Sequence, residues 1–408
     1  MPVNLKPPKN DELHSIPGIQ LGIAEAEIRY KSQKDLLVIS IDSGATVSGI
    51  FTKNKFMAAP IIVAKEHLKI GKSTRALVVN TGSANAGTGD DGIKNARIVC
   101  EIVANELNIN AVDILPFSTG IIMTHLPVDK ISMGIPTAIK NLKPNNWLNA
   151  AESIMTTDTV AKASSKKIMI QGENVHVTGI SKGSGMIEPN MATMLGFIGT
   201  NANITKEMLD EMIVEVADNS FNCITVDGDT STNDSFIIIA TKQSNHQPIE
   251  TKNENYYVLK EALLETAKIL AQSIIRDGEG ATKFISINVH GGKNRQECLS
   301  IGKSIAHSPL VKTAFFASDP NLGRILAAIG NSPIELLDIN LIDVFLNQVQ
   351  FAKSGSLAEN YKESMGIKEM KGEEITLDIY LGRGEYTSTV WTTDLSYDYV
   401  KINAEYRS

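Results

Sequence analysis

The sequence predicts a mixed α/β (α+β) protein, because strand-like and helix-like patterns both recur along the chain. Between residues 36 and 79, turns separate short apolar runs that are typical of a sheet; the runs read LLVIS, VSGIF, PIIVA and ALVV. A helix is predicted next, since apolar residues recur every three or four positions from Ile93 to Leu107, with Asp90 or Asp91 as its cap. A buried strand is predicted at 194–198.

The length of the chain predicts more than one domain. A chain of 408 residues exceeds what one ordinary hydrophobic core supports. We predict a main domain at residues 1–283 and a smaller C-terminal domain at 284–408. In the smaller domain the pattern predicts, in order, a strand FISINVHG, a helix around Cys298, a strand TAFFA, a helix from Asn321 and a meander of strands to Trp391.

Composition excludes several classes of function. The net charge is −7, and the lysines and arginines form no dense block, so we expect no nucleic-acid partner. Three cysteines, Cys100, Cys223 and Cys298, lie far apart in the sequence, as reduced thiols of a cytoplasmic protein would. No apolar run is typical of a signal peptide or a membrane span. We therefore expect a cytoplasmic protein with no membrane partner.

A glycine-rich segment, GTGDDG at 87–92, matches the spacing of a dinucleotide-binding fingerprint. We reject that interpretation for two reasons. The loop that begins at Asn80 is too long for the tight turn of the motif, and Asp90 and Asp91 would repel a pyrophosphate. The segment is better explained as a connection near a substrate cleft.

A second segment, TVDGDTSTND, resembles a calcium loop but fails on spacing. Asp227 and Asp229 occupy the first two ligand positions, yet Thr232 stands where the loop needs glycine. Ile238 stands where it needs the bidentate glutamate. The histidines show no paired spacing typical of zinc ligands. The sequence therefore predicts no metal and no bound cofactor.

The segment KGSGMIEPNMATMLGFIGTN, residues 182–201, carries the chemistry. Glycines and a proline make an irregular bend before the apolar strand, and Thr193 lies at their junction after the small Ala192. A threonine hydroxyl needs a base. If Thr193 Oγ attacked the carbonyl of Ala192 and the ester hydrolysed, Thr193 would gain a free α-amine that titrates near pH 8, suited to that role. Cleavage would leave chains 1–192 and 193–408.

This segment resembles the processing site of the ornithine acetyltransferase family, the bifunctional acetyltransferases of arginine biosynthesis. Further motifs carry the resemblance through nearly the whole chain: STG at 118–120, MTTDT at 155–159, TVDGDTSTNDS at 225–235, RDGEGATKF at 276–284, SDPNLGR at 318–324 and INAEYRS at the end. The resemblance implies a self-processing N-terminal-nucleophile fold similar to that of related aminopeptidases. Layered sheets with flanking helices and a smaller C-terminal α/β domain are expected.

The resemblance also implies roles for individual residues. Thr119 and Gly120 would form an oxyanion hole, which agrees with the donors that a hydroxyl and a glycine backbone can offer. The expected substrate-binding residues are Thr156, Lys182, Thr193, Glu279, Asn403 and Ser408. Thr157 is the alternative to Thr156. The C-terminal segment 397–408 is accordingly expected to return to the active site.

The implied reaction moves an acetyl group from N-acetylornithine to glutamate through an acetyl-threonine enzyme, giving ornithine and N-acetylglutamate. Lys182 and Glu279 would provide the cation and the anion that such amino acids require. Acetyl-CoA as a second acetyl donor is favoured by the resemblance, although the family also contains monofunctional members. Two cleaved chains would assemble as an α2β2 heterotetramer. A self-processing aminopeptidase or amidase, a dinucleotide-dependent oxidoreductase and a non-enzymatic binding protein remain alternatives.

Overall fold

The computed structural model describes residues 2–70, 73–188 and 194–405. The strands in these ranges are β1 Ile19–Ala24, β2 Leu36–Ile41, β3 Thr46–Phe51, β4 Ala76–Ser83, β5 Ile114–Ile121, β6 Lys162–Ile170, β7 Glu173–Lys182, β8 Leu195–Thr200, β9 Ile224–Thr225, β10 Ser235–Ala240, β11 Phe284–Gly292, β12 Asp343–Leu346, β13 Val349–Lys353, β14 Ser356–Leu357, β15 Glu374–Tyr380 and β16 Tyr386–Thr393. The helices are α1 Ala59–Ile70, α2 Gly89–Leu107, α3 Val128–Lys140, α4 Trp147–Ser153, α5 Lys206–Asp218, α6 Glu254–Arg276, α7 Arg295–Ala306, α8 Pro309–Phe316, α9 Leu322–Gly330, α10 Glu363–Met370 and α11 Tyr397–Ala404.

The described strands form three sheets. The first has the order β1-β2-β4-β5, and its last pair is parallel. The second has the order β3-β10-β8-β7-β6, in which β8 and β10 run parallel. The third has the order β14-β13-β12-β15-β11-β16-β9. Because neighbouring strands in these sheets are often not consecutive in the chain, segments that are distant in sequence lie close together at the ends of the strands.

The first two sheets pack face to face, and helices cover their outer faces. Alternating side chains of β2 explain this arrangement, because successive residues of a strand point to opposite faces. Leu37 packs in the core between the sheets, whereas Val38 packs in the core beneath α2 and α3. Phe117 and Phe197 meet across the sheets with ring centroids 5.2 Å apart. On the far side, α5 and α6 pack against the second sheet. The predicted α/β (α+β) class with layered sheets is therefore confirmed.

The third sheet draws on most of the chain after residue 284. Its central strand β11 pairs with β15 on one side and β16 on the other. Helix α7 packs against β11 and β16. The short strand β9, which comes from much earlier in the sequence, pairs with β16 at one edge. This pairing joins the segment before Asp227 to the C-terminal part of the chain.

Two predicted strands are helices. The run PIIVA lies in α1 and the run TAFFA lies mostly in α8. In both cases a proline stands at the start of the helix, where its fixed φ and missing N–H are tolerated. Ser308 also caps α8 by accepting a hydrogen bond from Val311 N at 3.3 Å. These start signals outweigh the apolar runs that follow them.

The start of α2 also differs from the prediction. Its cap residue is Thr88, whose hydroxyl donates to Asn85 instead of capping the helix. Asp90 and Asp91 lie inside the first turn, where negative charge is favourable near the helix N-terminus. Strand β4 continues to Ser83, so the loop before α2 is shorter than the sequence suggested.

Three further observations concern the described part of the chain. Cys100, Cys223 and Cys298 are free thiols, and all three are buried. No helix within those ranges is both long and apolar enough to cross a membrane. Nor does any group of three His, Cys, Asp or Glu side chains there come together as metal ligands would.

Candidate active site

A cavity of about 1010 Å³, including its open mouth, lies where ends of the first two sheets meet. Thr119 and Gly120 reach it from the end of β5, and Lys182 reaches it from the end of β7. Ser231 to Asp234 line it just before β10. Glu279, which follows α6, and Asn403 of α11 complete its wall.

The structure therefore brings together six of the predicted site residues, which are Thr119, Gly120, Thr156, Lys182, Glu279 and Asn403. Thr157 lines the same cavity, so both candidates for the substrate-contacting threonine remain. Ala192, Thr193 and Ser408 lie outside the described residues. Met194, which follows Thr193 in the chain, lines the cavity and is buried.

The strand that carries Thr119 and Gly120 is held by a buried polar network. Ser118 Oγ donates to Asn80 Oδ1 at 2.6 Å. Asn233 Nδ2 donates to the carbonyl oxygens of Ser118, at 2.9 Å, and Ala84. The Thr119 hydroxyl itself makes no hydrogen bond with the described residues, so it is free to donate to a ligand.

Gly120 is required by its surroundings. Its φ of 131° is one that side-chain-bearing residues rarely adopt, and a Cβ there would lie 2.4 Å from the carbonyl carbon of Gly82. The close approach of the two glycines places the backbone of β5 at the cavity wall. A backbone N–H in such a position can approach a developing oxyanion.

A buried ionic cluster, Asp158, Lys162 and Asp277, lies behind Thr156, outside the cavity lining. Lys162 Nζ lies 2.6 Å from Asp158 Oδ1 and 2.7 Å from Asp277 Oδ2. Asp158 also accepts hydrogen bonds from Thr156 N at 3.0 Å and Gly183 N at 2.8 Å. Burial alone would raise the pKa of Asp158, but the charges of Lys162 and Lys182 outweigh it and hold that pKa well below its usual range.

This ionic cluster positions two predicted site residues at once. Asp158 fixes the backbone of Thr156 and of the residue after Lys182, while Asp277 fixes the backbone of Thr159 at 2.9 Å. None of the three charged residues was assigned a role from sequence. The signal was present, because Asp158 lies within the MTTDT motif and Asp277 within RDGEGATKF.

The Lys182 ammonium has no hydrogen-bond partner among the described residues. Burial lowers its pKa, and the carboxyl groups of Asp158, Asp234 and Glu279 act in the opposite direction. An ammonium group surrounded in this way can accept the carboxylate of a ligand. The geometry is consistent with the carboxylate-binding role that the sequence predicted.

Glu279 is oriented by the C-terminal helix. Asn403 Nδ2 donates to Glu279 Oε2 at 2.8 Å, and Glu279 N donates to Ser184 O at 3.0 Å. A Cβ at Gly185 would lie 2.3 Å from Glu279 Oε2, so the carboxylate packs directly on that glycine. Helix α11 docks beside it through Ser396 Oγ, which donates to Gly280 O at 2.6 Å. The described part of the C-terminal segment thus lies at the cavity, as predicted.

The bend that leads toward Thr193 is fixed up to Glu188. Asp227 accepts hydrogen bonds from Met186 N at 2.7 Å and Ile187 N at 2.9 Å. Glu188 pairs with Lys303 at 2.6 Å and with His307 at 2.8 Å. Burial would raise the pKa of Glu188, but these two partners lower it below its usual range. The sequence motif that suggested calcium binding therefore serves to hold this bend.

Comparison with known proteins gives a consistent result. A model of the ArgJ family matches residues 20–408. The arginine biosynthesis bifunctional protein ArgJ of Colwellia psychrerythraea (strain 34H / ATCC BAA-681) is 51% identical over 424 aligned residues, which cover 100% of both chains.

Two solved structures are also similar. The arginine biosynthesis bifunctional protein ArgJ of Bacillus halodurans is 36% identical, with a TM-score of 0.49, over 51% of this chain and 98% of that chain. The ornithine acetyltransferase of Mycobacterium tuberculosis, complexed with ornithine, is 25% identical, with a TM-score of 0.39, over 47% of this chain and 99% of that chain. The family match and the full-length relative confirm the predicted ornithine acetyltransferase family and the predicted enzyme class, glutamate N-acetyltransferase. The chain belongs to the ArgJ family.

Proposed function

We propose that this enzyme transfers the acetyl group of N-acetylornithine to glutamate through an acetyl-Thr193 intermediate. One observation carries the proposal. A single cavity collects the Thr119 hydroxyl and the Lys182 cation, both unpaired within the described part of the chain, and an anion at Glu279. Its wall includes Met194, the residue next to Thr193 in the chain. These are the groups that acyl transfer between two amino acids requires.

The first half-reaction releases ornithine. The α-amine of Thr193, freed by cleavage after Ala192, takes the proton of its own hydroxyl, and Oγ attacks the acetyl carbonyl. Thr119 and Gly120 stabilise the oxyanion that forms. Collapse of the tetrahedral intermediate breaks the amide bond, and the α-amine passes the proton to the leaving nitrogen. The acetyl group remains on Thr193 Oγ as an ester.

The second half-reaction uses the same site for glutamate. Its α-amine attacks the ester, and Thr193 Oγ leaves with a proton returned through the α-amine. Lys182 binds the α-carboxylate shared by both substrates, and Glu279, with Thr156, Asn403 and Ser408, binds the rest. Because one site serves donor and acceptor in turn, ping-pong kinetics are expected.

We also propose acetyl-CoA as a second acetyl donor. A second cavity, of about 690 Å³, shares Gly120, Thr156 and Thr157 with the first and offers space for a longer molecule. Arg29 lines it, stacks 4.8 Å above the ring of Tyr30 and has no carboxylate partner among the described residues. A free guanidinium there would suit a phosphate-bearing donor.

The proposed organisation follows the family resemblance. The enzyme is cytoplasmic, carries no bound cofactor, and consists of chains 1–192 and 193–408 assembled as an α2β2 heterotetramer. Residues 1–283 form the main domain and residues 284–408 the smaller one.

Mass spectrometry of the purified enzyme tests the proposal at its first step. We expect two chains, the second beginning with Thr193. Thr193→Ala should give one uncut chain without transferase activity, while Thr193→Ser should retain some cleavage and some transfer. An active enzyme that consists of one intact chain would refute the mechanism.

A further inference from the structure

The proposed transfer leaves one proton without a carrier. The α-nitrogen of N-acetylornithine bears one proton, whereas ornithine leaves as an ammonium with three. The Thr193 hydroxyl supplies one of the two added protons through the α-amine. The other must come from a second group. For glutamate the count reverses, because its ammonium loses two protons and only one returns to Thr193 Oγ.

Asp234 has the geometry of that second group. It lines the first cavity, and only 2% of its surface is exposed to solvent. Its Oδ2 atom is buried and has no hydrogen-bond partner among the described residues. The backbone N–H of Ser235, the next residue, donates to the carbonyl oxygen of Met194 at 2.9 Å. Asp234 therefore lies at the sheet end where the chain continues to the nucleophile.

The other carboxyl groups that act on Lys182, Asp158 and Glu279, have hydrogen-bond donors. Asp158 accepts hydrogen bonds from Thr156 N, Gly183 N and the Lys162 ammonium. Glu279 accepts one from Asn403 at 2.8 Å. Buried polar groups are rarely left unpaired unless a ligand or a chemical role uses them. Among the described residues, Asp234 is the cavity carboxyl with a fully buried oxygen that has no hydrogen-bond partner.

We propose that Asp234 is a catalytic residue that holds the second proton: its carboxyl gives this proton to the amine of departing ornithine and takes it back from the ammonium of arriving glutamate. In the first step the carboxyl O–H bond breaks and an N–H bond forms on ornithine. In the second step an N–H bond of glutamate breaks and the O–H bond is restored. No proton enters or leaves over the full cycle. The inference rests on the proposed function.

The surroundings of Asp234 favour the protonated form of its carboxyl. Burial raises its pKa well above the ordinary value, while neighbouring Ser231 and the charge of Lys182 act in the opposite direction. Lys182 is itself faced by Asp158, Glu279 and Lys162. A pKa moved toward the working pH is what efficient proton exchange requires.

Two acetyl donors test the assignment, because only one of them needs the second proton. N-acetylornithine releases an amine, whereas p-nitrophenyl acetate releases a phenolate that needs none. With Asp234→Asn we expect ornithine release to fall about 100-fold, the size typical of a lost acid–base group. In a single turnover without glutamate, so that only acetylation of the enzyme is followed, nitrophenolate release should stay at the wild-type rate. Asp229→Asn is the matched control, since it makes the same carboxyl-to-amide change at an exposed position of the same loop.

The pH profile gives a readout that a structural role would not move. In Asp234→Asn, transfer to glutamate should rise about tenfold per pH unit, because only amine already deprotonated in water can react. The wild type and Asp234→Glu, which keeps a carboxyl, should show a shallower rise, and the Glu variant decides the matter if the Asn variant does not fold. A steep rise in Asp234→Glu or in the wild type would contradict the assignment.

The outcomes separate two failures. An equal fall with both donors, or no fall with either, would overturn the role of Asp234 while leaving acetyl-Thr193 intact. If neither donor acetylates Thr193 in the wild type, the proposed function fails and the inference fails with it.

Discussion

Two groups of polar residues at the candidate site, one lining the cavity and one behind it, differ in whether they are paired. Asp158, Lys162 and Asp277 are buried and satisfy one another. Thr119, Lys182 and Asp234 are also largely removed from water, yet the Thr119 hydroxyl, the Lys182 ammonium and the Oδ2 atom of Asp234 lack hydrogen-bond partners among the described residues. The pKa of Asp158 is lowered and that of Asp234 is raised for this reason. The comparison teaches that the paired group holds the site in shape, while the unpaired group is available to substrates.

Breaking the paired group should produce the largest effect on stability. Lys162→Met leaves Asp158 and Asp277 without their cation, and removing one partner of a buried ion pair costs about 3 to 5 kcal/mol. Denaturant unfolding should report this loss. Lys166→Met on the same strand is the control, since its ion pair with Glu265 is partly exposed and should cost under about 1 kcal/mol. Equal effects of the two changes would mean that the cluster does not stabilise the fold.

Changing an unpaired residue should affect rate instead. Thr119→Ala removes the proposed oxyanion donor, and the loss of such a donor costs about 3 to 4 kcal/mol, or roughly 100- to 1000-fold in kcat. KM should change little, because this contact strengthens only in the transition state. Steady-state kinetics with N-acetylornithine provide the measurement. A higher KM at unchanged kcat would instead identify Thr119 as a ground-state binding residue.

The pH dependence of stability sharpens the comparison, because the two aspartates should act with opposite sign. A lowered folded pKa stabilises the protein above the unfolded pKa of about 4, so Asp158→Asn should lower Tm at pH 7 by an amount that shrinks below pH 4. A raised folded pKa penalises the ionised form, so Asp234→Asn should raise Tm at pH 7. That gain should vanish as the pH falls below about 4. Calorimetry across this range is the test, and shifts of the same sign would contradict the contrast.

The smallest effect on activity is expected at Asn403, which is hydrogen-bonded to Glu279 and is also a proposed substrate-binding residue. Asn403→Ala removes the hydrogen bond that orients Glu279, at an exposed helix position. A loss of about 1 kcal/mol should raise KM roughly fivefold and leave Tm unchanged. Lys401→Ala, two residues away and exposed, serves as the control. No difference in KM between the two variants would separate Asn403 from substrate binding.

The sequence predicted the contents of the cavity better than the groups that support it. Motifs predicted Thr119, Lys182 and Glu279, which all line the cavity, because these residues lie in segments of distinctive composition. The pairing of Lys162 with Asp277 joins positions 115 residues apart, and no local pattern reveals such a contact. The apolar runs in α1 and α8 led to a wrong prediction of strands. The prolines at the starts of these two segments are instead typical of a helix N-terminus.

The central claim is that the acetyl group passes through Thr193. Intact-mass measurement of the cleaved enzyme, after incubation with N-acetylornithine and without glutamate, tests it directly. We expect the chain that begins with Thr193 to gain the mass of one acetyl group on that residue, and to lose it when glutamate is added. Release of ornithine without any acetylated chain would contradict the account.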